Sequence, residues 1–148
     1  MFDEILGLPA HPLIIHAAVV FTPLLALMGV VYAVLPRFQP ATGWAVVALA
    51  VLAPGAVFAA RQSGLALKQA RFESVQGDLA TKIAAHESFA NPLLYSTIGL
   101  AVSALAMVFV PKGVPKTILS VTTVVLAAVA GYYVFRAGDS GAQAVWGL

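Results

Sequence analysis

Three histidines and one aspartate are the side chains of this sequence best suited to chemistry: His11, His16, His86 and Asp139. Neutral imidazole is a good ligand for zinc, copper or haem iron. A bis-histidine haem takes one ring from each of two facing helices at similar depth. His16 and His86 meet that condition, with haem b or a transition metal as the cofactor. The wider set of candidate metal ligands is His11, His16, His86 and Asp139. Spacing restricts the options. His11 and His16 are five residues apart, about 140° round a helix, so they do not form the i, i+4 pair of His-Glu-x-x-His enzymes. Plainer roles compete with ligation at every position. His11, just before Pro12, can cap a helix or face water, and His16 and His86 can each bond a carbonyl or hydroxyl on a neighbouring helix. Asp139, within Gly138-Asp139-Ser140-Gly141, can end a helix, and Glu87 beside His86 can point to water. No nucleophile–base pair, phosphate loop or pair of carboxylates can be assembled, so an enzyme is not expected.

The elements that must position these residues are membrane-spanning. Of 148 residues, 61% are hydrophobic and 9% charged, and mean hydropathy is +0.94. A soluble domain carries roughly 25% charged residues, so this composition cannot build a water-facing surface. No charge falls between Glu4 and Arg37, Arg37 and Arg61, Glu87 and Lys112, or Lys116 and Arg136. Each gap holds enough apolar chain to cross a hydrocarbon core, which takes about 20 residues. The expectation is an all-α membrane protein of one domain, residues 1–148, with four transmembrane helices in a bundle: Leu13–Leu35, Gly43–Ala60, Pro92–Val110 and Thr117–Phe135. Pro12 suits the first helical turn, and Thr22-Pro23 and Pro54-Gly55 predict bends. Asp78 with Lys82, and Leu79, Ile83, His86 and Ala90 on one face, predict a short amphipathic helix at the interface or leading into the third span. After Phe135 the glycines are expected to stop the last helix, with Trp146 in the headgroup belt. The acidic start argues against a cleaved signal peptide. The absence of cysteine excludes disulfides, thiolate metal sites and covalent haem. A net charge of +2 gives no reason to expect nucleic acid.

A shift of 75 residues brings Pro36, Arg37 and Pro40 onto Pro111, Lys112 and Pro115, Thr22 onto Thr97, Arg61 onto Arg136, and Ala10-His11 onto Ala85-His86. This predicts two parallel two-helix repeats, residues 10–64 and 85–139, related by an axis along the membrane normal. His11 and His86 then share one membrane face. The two short links carry Arg37, Lys112 and Lys116 and no acid, whereas the opposite face carries all six acids and the other basic residues. Net charge favours short links in the cytoplasm of a bacterial cell, with a multi-pass chain in the inner membrane and both termini outside. The count of basic residues alone does not.

The opening Phe2-Asp3-x-Ile5-x-Gly7-Leu8-Pro9-Ala10-His11-Pro12-Leu13-Ile14-Ile15-His16 resembles bacterial membrane proteins classed as domain of unknown function 2231. His86 with Asn91, and Gly138-Asp139-Ser140-Gly141-Ala142, are similar to that family's later signatures, so the resemblance covers nearly the whole chain. Where the family often has histidine in the last signature, this chain has Asp139. The resemblance implies a four-helix membrane domain, at times fused to Rieske-type redox modules, without an assigned activity.

Three functions are expected, in descending order. The first is a non-enzymatic accessory or assembly subunit, contacting lipid and other membrane protein subunits, of an electron-transport complex. The second is a haem or metal protein using His16 and His86. The third is a small transporter, which would want ionisable residues along the spans, where His16 alone lies near one end.

Overall fold

The computed structural model describes residues 4, 5 and 8–147, with side chains from Ala10 onward. Phe2, Asp3 and Gly7 of the opening motif lie outside the described residues. A short antiparallel pair, β1 (Glu4–Ile5) with β2 (Leu8–Pro9), leads into α1 (Ala10–Val34). A 3-10 turn over Pro36–Phe38 then opens α2 (Gln39–Leu67), which continues as a π-helical turn over Lys68–Phe72. The short α3 (Asp78–Ser88) precedes α4 (Ala90–Phe109), and α5 (Val114–Trp146) closes the chain. Gly77 and Gly113, at φ +78° and +141°, supply the backbone turns before α3 and α5.

Four stretches, Ala10–Val34, Pro36–Phe72, Asp78–Phe109 and Val114–Trp146, are long and apolar enough to span a bilayer. The protein is therefore an all-α membrane protein with the four spans expected. Helices α1, α2, α4 and α5 form a ring in that order, which leaves α1 and α4 on one diagonal, and α3 packs on α5. Pro23 and Pro54 lie inside continuous helices. The break between α3 and α4 falls at Phe89. Pro92, which has no N–H to give to Ser88, cannot carry the helical ladder across that point.

The last helix runs further than the glycine-rich tail suggests. It continues through Gly138 and Gly141 to Trp146 instead of stopping after Phe135, and Asp139 lies within it. Each interior glycine costs roughly 1 kcal/mol in a helix, and packing of this extension against α3 offsets that cost. Helix α2 likewise runs past Ala60 to Leu67.

Small residues fill the middle of the bundle. Ala50, Ala53, Ala101, Ala127 and Ala130 pack around Leu25 and Leu100, the close approach that membrane helices use. A Cβ placed on Gly29 would lie 3.1 Å from Thr123 Cγ2. Large side chains such as Trp44, Val51, Phe109 and Phe135 point outward. Beyond the apolar zone, Lys68 pairs with Glu87 and Lys82 with Asp78. The Lys68–Glu87 pair is solvent-accessible on both sides, so Glu87→Gln is expected to change unfolding free energy by less than about 0.5 kcal/mol in detergent titrations.

The burial pattern extends the correspondence between the two halves of the chain further than the sequence match does. In α1 and α4, Ala18, Thr22, Leu25, Gly29 and Tyr32 correspond to Leu93, Thr97, Leu100, Ala104 and Met107 at the shift of 75. In α2 and α5 the buried Val46, Ala50, Ala53, Val57 and Ala60 correspond instead to Thr123, Ala127, Ala130, Val134 and Ala137, a shift of 77. Two extra residues enter between Pro115 and Thr123. The structural counterpart of Arg61 is thus Gly138, not Arg136.

Candidate functional site: a pair of seated histidines

Both halves of the chain build the same local structure at the end of the bundle that carries β1 and β2. His11, in the first turn of α1, reaches across to α2. Its Nδ1 lies 3.0 Å from the Ala60 carbonyl and 3.0 Å from Ser63 Oγ. His86, near the end of α3, reaches across to α5. Its Nδ1 lies 2.9 Å from the Ala137 carbonyl and 3.2 Å from Ser140 Oγ. Each serine hydroxyl also donates to that same carbonyl, at 2.9 Å from Ser63 and 3.2 Å from Ser140.

This triangle fixes the tautomer. A carbonyl oxygen only accepts, and a serine whose hydrogen is committed to that carbonyl can only accept as well. Nδ1 must therefore carry hydrogen in both rings, and in the neutral imidazole Nε2 holds the lone pair. The seats are shaped by Gly64 and Gly141. A Cβ at Gly64 would come within 3.1 Å of His11 Cε1, and one at Gly141 within 3.1 Å of His86 Cε1. The two rings then approach each other from opposite corners of the bundle, with centroids 6.2 Å apart and planes inclined at 69°.

Interfacial cations flank this layer. Arg61 Nε–H donates to Asn91 Oδ1 at 2.7 Å. The Arg136 guanidinium lies over the Phe89 ring at 4.9 Å and donates to Tyr132 Oη at 3.2 Å. These aromatic and amide partners suit a headgroup depth, where a charged tip stays wet above an apolar stem.

Of the candidate residues, the structure brings together His11 and His86 and leaves the others apart. His16 is exposed on the outer side of α1, with Nδ1 bonded to the Pro12 carbonyl one turn back. Asp139 is exposed on α5 and accepts from Gln143 Nε2 at 2.9 Å. Among the described residues, no three His, Cys, Asp or Glu side chains gather as a metal group. His11 neither caps its own helix nor merely faces water, and Glu87 holds Lys68.

Sequence reasoning missed Ser63, Gly64, Ser140 and Gly141. The signal was present at the shift of 77: Ala60-Arg61-Gln62-Ser63-Gly64 repeats as Ala137-Gly138-Asp139-Ser140-Gly141. Ser63→Ala and Ser140→Ala are each expected to lower stability by about 0.5–1 kcal/mol, the scale of one net hydrogen bond. Matched thermal melts of the two variants in detergent check both the size and the equality.

Fold and site together define a four-helix integral membrane protein with a duplicated histidine–serine–glycine seat at one end. Residues 7–148 match the family model described as a predicted membrane protein, DUF2231, and the chain belongs to that family. Comparisons with curated proteins and with solved structures gave no match.

Proposed function

We propose that this protein is a non-enzymatic membrane subunit that docks laterally with other membrane proteins, its polar working part being the end that carries His11 and His86. The observation that carries this reading is a closed bundle axis. Leu25 and Leu100 are fully buried between the Thr22–Thr97 level and the Ser103–Thr123 level, leaving the interior suited to packing and not to passage. That weighs against the transporter, whose path would be lined by ionisable groups. What the chain offers to others is its apolar wall and one polar end. Electron-transport complexes of the bacterial inner membrane are the assemblies proposed, with both termini on the outer face.

Native electrophoresis and cross-linking after mild detergent extraction test this. The chain is expected in an assembly much larger than itself. Migration as a lone chain in the gentlest detergents, with no cross-linked neighbour in intact membranes, would overturn the proposal.

A second reading, a haem or metal carried by the histidines, is favoured by the twin seats. It rests on His11 with His86, whose ring centroids lie 6.2 Å apart, since His16 is exposed on α1 and bonded to the Pro12 carbonyl. Visible spectra of the reduced and oxidised protein separate haem from a colourless site.

A further inference from the structure

We propose that His11 and His86 form a two-coordinate site for a monovalent d10 cation, copper(I), bound by the Nε2 atoms of both rings. The inference stands apart from the subunit reading, and it rests on the second reading, a metal carried by this histidine pair. Its first support is the tautomer. A metal-binding histidine commonly gives its other ring N–H to a carbonyl, which fixes the ring and raises the basicity of the ligating nitrogen. Here that arrangement occurs twice, through Ala60 and Ala137, each reinforced by a serine. Among the described residues neither Nε2 has a hydrogen-bond partner.

The second support is distance. With both Nε2 atoms turned to a shared metal, two metal–nitrogen bonds of about 2 Å laid end to end, plus the reach from each nitrogen to its ring centre, separate the imidazole centroids by roughly 6 Å. The centroids of His11 and His86 are 6.2 Å apart. The 69° between the ring planes is no obstacle, because a linear nitrogen–metal–nitrogen unit sets no preferred angle between its two rings.

The third support is donor count. Zinc takes four ligands in structural sites and three protein ligands plus water in catalytic ones. With no third His, Asp or Glu joining the pair among the described residues, only a cation satisfied by two nitrogens is matched. Imidazole suits copper. A single positive charge also loses less hydration than a divalent one when moved into the layer between Arg61 and Arg136.

The test is anaerobic titration of the full detergent-solubilised chain with copper(I) against a chromophoric copper(I) chelator. One copper(I) per chain is expected, with X-ray absorption giving a linear two-nitrogen shell. His11→Asn and His86→Asn keep an N–H for the Ala60 or Ala137 carbonyl while removing Nε2, so they separate ligation from folding. Each should abolish binding with the circular dichroism melt retained, whereas His16→Ala should leave it unchanged. Ser63→Ala, which loosens the ring without removing it, should weaken binding about tenfold, the scale of losses from outer-shell partners. The proposal is overturned by no competition with the chelator, by binding that survives both Asn variants, or by stoichiometric zinc(II) held in preference to copper(I).

Discussion

Gly29→Ile is expected to cost about 3 kcal/mol, at the upper end of what extra methylenes cost in a well-packed interior. Even the first added carbon meets Thr123 Cγ2 at 3.1 Å, with Ala104 Cβ at 3.9 Å and Leu100 Cδ1 at 4.0 Å behind it. Thr123 and Leu100 are themselves fully buried, so they have little room to give way. A β-branched side chain cannot swing clear, since one rotamer dominates in a helix. Relief has to come from moving α1 away from α5, which strips contacts along both helices. Gly131→Ala on α5 is the matched control. Its Cβ meets nothing within 4 Å, so the change should be neutral or gain up to about 1 kcal/mol from helix propensity. Denaturant titration in mixed micelles, following helix content, compares the pair. Equal stabilities for the two variants would show that α1 and α5 are not in close contact.

Replacing both histidines should produce the other large effect. His11→Ala and His86→Ala each remove an N–H shared between a carbonyl and a hydroxyl, together with a ring that packs against a glycine. The carbonyls keep their own helical partners, so no buried acceptor is orphaned. Each loss is then about 1–2 kcal/mol, so the double variant falls by about 2–4 kcal/mol before any coupling between the two rings. The informative part is the comparison between singles. Two seats built alike predict equal losses, whereas a site that used only one histidine predicts unequal ones. Because the ring centroids lie only 6.2 Å apart, the double variant should depart from the sum of the singles. A double-mutant cycle on unfolding free energy measures that coupling directly.

The four spans were legible because charge spacing delimits them; no charged side chain lies between Glu4 and Arg37 or between Lys116 and Arg136. Helix ends were less legible. Gly138 and Gly141 read as stops, yet α5 continues because contacts with α3 stabilise the extra turns, and those contacts are tertiary. The histidine pairing failed to show for a related reason. Depth along the chain favoured His16 with His86, but the direction of a side chain from its helix decides the partner, and His16 faces outward. The offset of 75 residues puts His11 on His86, and their ring centroids lie 6.2 Å apart. The same offset obscured the serine–glycine seats, since the second helix of each unit repeats at 77. A single fixed offset cannot register a correspondence that runs at 75 in one helix pair and at 77 in the other.

The division of contacts between the halves bears on how such a chain is made. Helix α1 and the helix that receives its histidine, α2, are joined by one short turn. The same is true of the second half once α3 and α4 are taken together with α5. During synthesis each helical hairpin can therefore enter the bilayer with its own histidine already seated. Biogenesis then reduces to one lateral collision, in which α1 meets α5 and α2 meets α4. Until that collision neither imidazole has the other beside it. The paired end is consequently a property of the finished bundle alone, and a stalled half-chain presents a single ring.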